Sequence, residues 1–361
     1  MSNPLLINLA VLFDKPTGIA TYAQNIINSL NSLNPMLLSA QSFEGFKQYA
    51  IAGNMTPAQG SKGHLRRLLW TQFQLPKIYR ELKADLIYSP IPEAPLYTAC
   101  RYIVMCHDVI PLRFPRRTSP LTNYFRYVVP QVLQQAEHII CNSQATAEDL
   151  VNYYDIVAQR ITPVLLGYDA ANFYPREQFA DLKQPYFLYL GRQDPYKNLS
   201  GTIKAFAAMT NRDYNLAIAG STDPRFTPKL QQQAQELGVE SRIKWLNYLT
   251  YPELPVVISN AVALVFPTFW EGFGLPVLEA MACGTPVITS NLASLPEITG
   301  DAAVLIDPHH TAAITSAMLD IAQDKQMRSQ LSKLSLQQAQ KFSWVKTGAE
   351  TKQILEKYLS K

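Results

Sequence analysis

No run of about 18 consecutive apolar residues occurs anywhere in the chain, so nothing has the length of a membrane-spanning helix. The apolar stretch at residues 5–13 lacks a basic segment before it and ends at Asp14, which argues against a cleavable signal. Cysteine is scarce. Cys100, Cys106, Cys141 and Cys283 form no CxxC pair and no metal-ligand spacing, and each lies in or beside an apolar run. A disulfide framework and a cysteine metal site are therefore not expected, and the reducing cytosol is the natural compartment. Repeats of solenoid period and low-complexity tracts are also missing. Charged residues make up only 17% against 47% apolar ones, the balance of a well-buried globular protein.

What is present is enough for two hydrophobic cores, since 361 residues exceed what one usually supports. The net charge of +4 is small and gives no ground for a nucleic-acid partner, but it is unevenly spread. Residues 62–126 hold eleven Lys or Arg against four acids, a local +7 that leaves the remainder at −3. An acidic partner for the first half follows from that asymmetry.

Short apolar runs alternate with helical patterns throughout, the signature of α/β units with parallel strands. Strands are expected at 5–13, 86–89, 102–106 and 138–141 in a first domain, 1–168. A polar, proline-bearing linker follows at 169–185, and further strands are expected at 186–191, 214–219, 242–246, 261–266, 286–289 and 304–307. Residues 41–63 show no firm period and read as a loop. The helical stretch 64–83 carries Leu65, Leu68, Leu69 and Phe73 on one face together with several cations. It either packs that apolar face or offers it to a membrane or an acidic acceptor.

The chain is organised around residues 267–284, PTFWEGFGLPVLEAMACG. A strand enters this stretch and a glycine-broken loop turns into a helix, so amides of the loop and helix start converge on one spot. Two carboxylates, Glu271 and Glu279, bracket it. Phosphate alone would not recruit two glutamates, whereas a ligand with both phosphates and sugar hydroxyls would.

Two further strand ends carry chemistry. GRQDPYKN places Arg192 and Lys197 beside the start of a helix near Leu199, a diphosphate site without a metal. CHDVIPLRFP delivers His107 and Asp108 at a strand's carboxyl end, where α/β sheets hold ligands, although the two could instead form a structural pair. Gly18 lies at a strand-to-helix turn next to Thr17, either an ordinary turn glycine or a point of close ligand approach. Ser143 heads a helix as a capping residue.

The Glu-x7-Glu spacing, the Gly-Arg…Lys-Asn segment and the HDxxP sequence resemble the retaining glycosyltransferases of the GT-B fold, the group often called group 1 or family 4. The resemblance covers nearly the whole chain and is strongest over 186–307. It implies two Rossmann-like α/β domains facing each other across a cleft, a second domain over 186–341 that binds the donor, and a last helix over 342–361 that returns to the first domain. It implies that Glu271 meets the transferred sugar, Glu279 the ribose hydroxyls, Arg192 and Lys197 the diphosphate, and His107 the sugar. Gly18, Gly220, Tyr248, Leu249, Gly272, Phe273, Gly274 and Leu275 complete the expected donor site. Arg113, Arg116 and Arg117 are expected on the acceptor side.

The implied activity is transfer of a hexose from a nucleotide diphosphate sugar, UDP-glucose first and GDP-mannose as its rival, by front-face attack with retention. The acceptor is a hydroxyl of a glycan or lipid-linked oligosaccharide in surface polysaccharide synthesis. No cofactor beyond the co-substrate is expected, and no metal, in keeping with the absence of any Asp-x-Asp. The expected location is the cytoplasm, with peripheral contact at the inner face of the membrane. A nucleotide-sugar epimerase of the same fold would need further acid/base carboxylates that the motifs do not offer. A non-catalytic sugar-nucleotide-binding partner need not keep His107, Arg192, Lys197, Glu271 and Glu279 together.

Overall fold

A computed structural model describes residues 4–12, 18–116, 119–177, 182 and 184–359. The chain divides into two compact units. The first comprises residues 1–167 together with Trp344–Lys361, and the second is Tyr168–Ser343.

The first unit is built on a seven-stranded parallel sheet of order β3-β2-β1-β4-β5-β6-β7. Its strands are β1 (Leu5–Asn8), β2 (Met36–Ser39), β3 (Lys47–Ala50), β4 (Leu86–Ser89), β5 (Tyr102–Cys106), β6 (His138–Cys141) and β7 (Ile161–Pro163). The interior strands β1, β4, β5 and β6 are buried along their whole length, as parallel strands covered on both faces must be. That is why they are legible as continuous apolar runs. β3 is not, because it is the sheet edge: its residues are exposed or half-buried, and KQYA has no apolar run. The loop expected over 41–63 therefore contains an edge strand and the start of a helix.

The helices α1 (Gly18–Ser29), α2 (Gly60–Phe73) and α3 (Leu75–Glu81) follow β1 and β3. Pro76 sits in the first turn of α3, where its missing amide costs nothing. In α2 the face turned inward is Gly63, Arg67 and Thr71, while Leu65, Leu69 and Phe73 point outward. Of the two alternatives the sequence left open for this apolar face, packed or offered outward, Leu68 takes the first, packing against the core, while Leu65, Leu69 and Phe73 stay uncovered. The reason is Arg67, whose Nε and Nη2 donate to Glu93 Oε2 and Oε1 at 2.7 and 2.8 Å, while Nη1 donates to the Met55 carbonyl. A buried carboxylate demands a partner, and the register of α2 supplies it.

The second unit has a six-stranded parallel sheet of order β10-β9-β8-β11-β12-β13. The strands are β8 (Tyr186–Leu190), β9 (Asn215–Ala219), β10 (Ile243–Asn247), β11 (Ala263–Phe266), β12 (Val287–Ser290) and β13 (Val304–Ile306). Its core packs Phe187, Tyr189, Ile203, Phe206, Leu216 and Val265 against Ile314, Met318 and Ile321 of the helix Thr311–Gln323.

Part of the expected linker belongs to this unit. Phe173 is buried with its ring edge-on to Tyr251, Asn172 donates to the Tyr251 carbonyl, and Tyr251 Oη donates to Asp169. Three terminal helices close the chain, Thr311–Gln323, Lys325–Ala339 and Trp344–Leu359, the last of which belongs to the first unit. There Thr347 Oγ1 donates to the Leu165 carbonyl at 2.7 Å, and Arg101 donates to the Tyr358 carbonyl.

Candidate functional site

In a doubly wound sheet the strand order reverses at one point, and the loops leaving the carboxyl ends on either side diverge to leave a crevice. In the second unit that point lies between β8 and β11. The loop after β8 carries Gly191 to Lys197, and the loop after β11 carries Pro267 to Gly274. They are tied together: the Tyr196 carbonyl accepts from the Phe269 amide at 2.8 Å and from Thr268 Oγ1 at 3.0 Å.

On this frame Lys197 and Glu271 meet. Lys197 Nζ lies 2.5 Å from Glu271 Oε1, with both side chains nearly buried. Lys197 also sits over the rings of Phe266 and Tyr196. Arg192 is different, for its side chain is 74% exposed and reaches back to Asp194 at 3.1 Å and to Tyr196 Oη at 2.9 Å. The two cations expected at the diphosphate thus carry protein partners here, one buried and one at the surface.

The glutamate loop turns into the helix Leu275–Ala282 through Gly274 at φ +105°, a conformation that favours glycine. A β-carbon at Gly274 would also lie 2.7 Å from Leu295. Ser294 holds the loop from behind, its hydroxyl near the carbonyls of Glu271 (3.1 Å) and Phe273 (2.7 Å). At the helix start Pro276 has no amide, and the amides of Val277 and Leu278 donate to the Gly274 carbonyl. The supply of free donors narrows to the amides of Phe273, Gly274 and Leu275, within the stretch expected from the sequence.

Glu279, one turn further along, is half-buried, and its carboxyl makes no hydrogen bond or ion pair. Loss of hydration raises its pKa to about 8, so at neutral pH it is largely protonated.

Gly220 follows β9 at φ +147°, and a β-carbon there would stand 2.0 Å from the Gly191 carbonyl oxygen. Its glycine identity is thus required by the close approach of two strand ends. Tyr248, just past β10, is 62% exposed, and Leu249 is half-buried.

In the first unit the corresponding reversal lies between β1 and β4, and His107 follows the next strand, β5. His107 Nε2 is 3.0 Å from the Pro90 carbonyl just past β4. A carbonyl only accepts, so Nε2 carries the proton and Nδ1 is left as an acceptor. Burial lowers the imidazole pKa to about 4, keeping the ring neutral. The ring of Tyr22 from α1 stands edge-on to it, 5.0 Å away. Asp108 does not pair with His107 as a structural couple would; its carboxylate accepts from the Ile110 amide.

Gly18 opens α1, and the loop residues 13–17 before it lie outside the described residues. Two of the three acceptor-side arginines fall among the described residues. Arg113 is held by Asp149, Nε to Oδ2 at 2.9 Å and Nη2 to Oδ1 at 2.5 Å, so its charge is already answered. The Arg116 amide donates to Thr122 Oγ1. Arg117 lies outside the described residues.

Two family models together match residues 16–338 of the chain. Glycosyltransferase Family 4 matches residues 16–172, and Glycosyl transferases group 1 matches residues 171–338. The chain belongs to these glycosyltransferases. Among relatives of this glycosyltransferase, the O-antigen chain mannosyltransferase B of Escherichia coli is 29% identical, over 80% of this chain and 76% of that protein. The O-antigen chain mannosyltransferase RfbU of Salmonella typhimurium is 25% identical, over 88% of this chain and 91% of that protein. Among solved structures, Anabaena HepE in complex with UDP and glucose superposes with a TM-score of 0.77 at 19% identity, covering 99% of this chain and 100% of that one. That likeness is one of fold, the GT-B arrangement of two parallel-sheet α/β domains.

Three side chains of the glycosyltransferase that shape these sites were not singled out from the sequence. Ser294 and Thr268 are lone hydroxyls whose importance comes from carbonyls distant in the chain. Tyr22 lies in a helical pattern where an aromatic reads as core. No sequence signal marks any of the three.

Proposed function

We propose that this glycosyltransferase moves a hexose, with retention, from a nucleotide diphosphate sugar to a hydroxyl of a glycan or lipid-linked oligosaccharide in surface polysaccharide synthesis. The observation that carries the reading is the Lys197–Glu271 pair beside the free amides of Phe273, Gly274 and Leu275 at the strand-order reversal. A cation and amides suit a diphosphate, and an adjacent carboxylate suits sugar hydroxyls.

In the reaction the bond between the anomeric carbon and the phosphate oxygen breaks, and the diphosphate leaves with the electron pair. The acceptor oxygen bonds to the same face, and its proton passes to the departing phosphate. Lys197, with Arg192 moved off Asp194, stabilises the charge that grows on the leaving group, so no divalent ion is needed. Glu271 orients the sugar once Lys197 turns to phosphate. Glu279 takes the two ribose hydroxyls. His107, neutral, offers Nδ1 to a sugar hydroxyl.

The sequence pointed first to UDP-glucose. The two relatives of 29% and 25% identity are named mannosyltransferases, whereas the UDP-bound structure is 19% identical, so a mannosyl donor, GDP-mannose, is the reading we now favour. The acceptor would be reached by peripheral contact with the membrane's inner face. Among the described residues no helix is long and apolar enough to cross it.

The test is donor hydrolysis and transfer with GDP-mannose and UDP-glucose in EDTA, with the anomeric configuration of the product read by NMR. Inverted product, or activity only with added Mn²⁺ or Mg²⁺, overturns the mechanism. Turnover of UDP-glucose alone overturns the choice of mannose.

A further inference from the structure

Helix α2 presents an outward face that none of the described residues covers. At about 100° per residue, Lys62, Leu65, Arg66, Leu69 and Phe73 fall within roughly a 100° arc. All five are exposed, and the three apolar side chains stand 57%, 50% and 63% open to solvent. Soluble proteins rarely set large apolar side chains in a row unless something covers them. The opposite face is locked inward by the Arg67–Glu93 pair, so the exposure follows from a fixed register rather than from fraying.

The charge along this stretch of the chain has one sign. No acid occurs between Glu44 and Glu81, a stretch that holds Lys47, Lys62, Arg66, Arg67, Lys77 and Arg80. Of these only Arg67 has its charge answered by a buried carboxylate. An apolar ridge flanked by cations fits an anionic lipid surface: leucine and phenylalanine enter the headgroup boundary, and lysine and arginine meet the phosphates. A soluble polyanion would use the cations but has no use for three apolar side chains.

We infer that the α2 face docks this protein on bilayers containing anionic lipid, with Leu65, Leu69 and Phe73 entering the headgroup region and Lys62 and Arg66 contacting lipid phosphates. The purpose assigned to this docking, access to a lipid-linked acceptor, rests on the proposed function; the docking itself does not.

Flotation with vesicles separates the two, because it involves no sugar or nucleotide. The intact protein should float with phosphatidylcholine vesicles carrying about 30% phosphatidylglycerol, weakly or not at all with pure phosphatidylcholine, and less at 0.5 M NaCl. Lys62→Ala and Arg66→Ala should each weaken partitioning about fivefold, the loss of one basic contact. Leu69→Ser and Phe73→Ser should weaken it further while leaving the thermal midpoint and the response to nucleotide unchanged, since these side chains are exposed. Equal recovery on both vesicle types, or none on either, overturns the inference. Full binding by Leu69→Ser and Phe73→Ser would also overturn it, by making the contact a purely ionic one. So would a dimer in light scattering that Leu69→Glu converts to monomer, because the face would then be covered by a second copy.

Discussion

Lys197 Nζ and Glu271 Oε1 lie 2.5 Å apart, joining the cation assigned to the diphosphate with the carboxylate assigned to the sugar. The pair keeps two nearly buried charges compensated; under the proposed function a donor would bring phosphate for one and hydroxyls for the other. Lys197→Met should therefore do two things. Transfer should fall about 10²–10³-fold through loss of leaving-group stabilisation, and stability should fall by about 3 kcal/mol because Glu271 is left unpaired. Adding Glu271→Gln should restore much of the stability and none of the activity. Denaturant unfolding and initial rates on the same three proteins decide it; a double variant no more stable than Lys197→Met would refute the pair's role.

Glu279 predicts a proton signature. Its unfolded carboxyl ionises near 4.5 and its native one near 8. Between those values the native state holds a proton the unfolded chain has lost. The resulting stability is complete below about pH 4.5 and is lost as pH rises through 8. Glu279→Gln should flatten that decline. If ribose hydroxyls donate to an ionised Glu279, nucleotide binding at pH 7 should release a proton, seen by calorimetry in buffers of different ionisation heat. No release in the native protein would remove Glu279 from the ribose.

His107 is expected to act without titrating. Its native pKa of about 4 keeps it neutral over any working range, so the rate profile should show no inflection near 6.5 from this residue. Below 6.5 the unfolded chain takes up a proton that the native ring refuses, so His107 erodes stability on acidification. Tyr22 holds the ring edge-on, with its own hydroxyl paired to Tyr88 Oη. Tyr22→Phe should keep the ring in place and most of kcat. Tyr22→Ala should lower kcat about tenfold or more with little change in nucleotide affinity. Equal kcat for the two variants would show that the ring contact has no positioning role.

Arg67 and Glu93 test the packing that turns α2 over. Both side chains are nearly buried, so Arg67→Ala should cost about 3–5 kcal/mol by stranding the carboxylate. Arg67→Met combined with Glu93→Leu should recover most of it. Chemical denaturation reads both, and a mild effect of Arg67→Ala would show that Glu93 finds another partner.

Where a residue's role depends on its neighbours in the chain, the sequence by itself determined the outcome. The buried strands β4, β5 and β6 are written as apolar runs because parallel strands are covered on both faces. Gly274 and Leu275 mark a turn into a helix because only a left-handed residue makes that turn. Glu271 and Glu279 are placed by the loop and helix that carry them. What only the tertiary structure decided depends on residues far apart. Lys197 meets Glu271 across 74 positions because the strand order reverses between β8 and β11. Gly220 must be glycine because the Gly191 carbonyl stands against it. Arg113 pairs with Asp149, 36 positions further along the chain. The helical period of α2 shows an apolar stripe and a charged one, but not which faces inward. Glu93 settles that, because a buried carboxylate needs a partner and Arg67 on α2 supplies it, which fixes the helix face that turns inward.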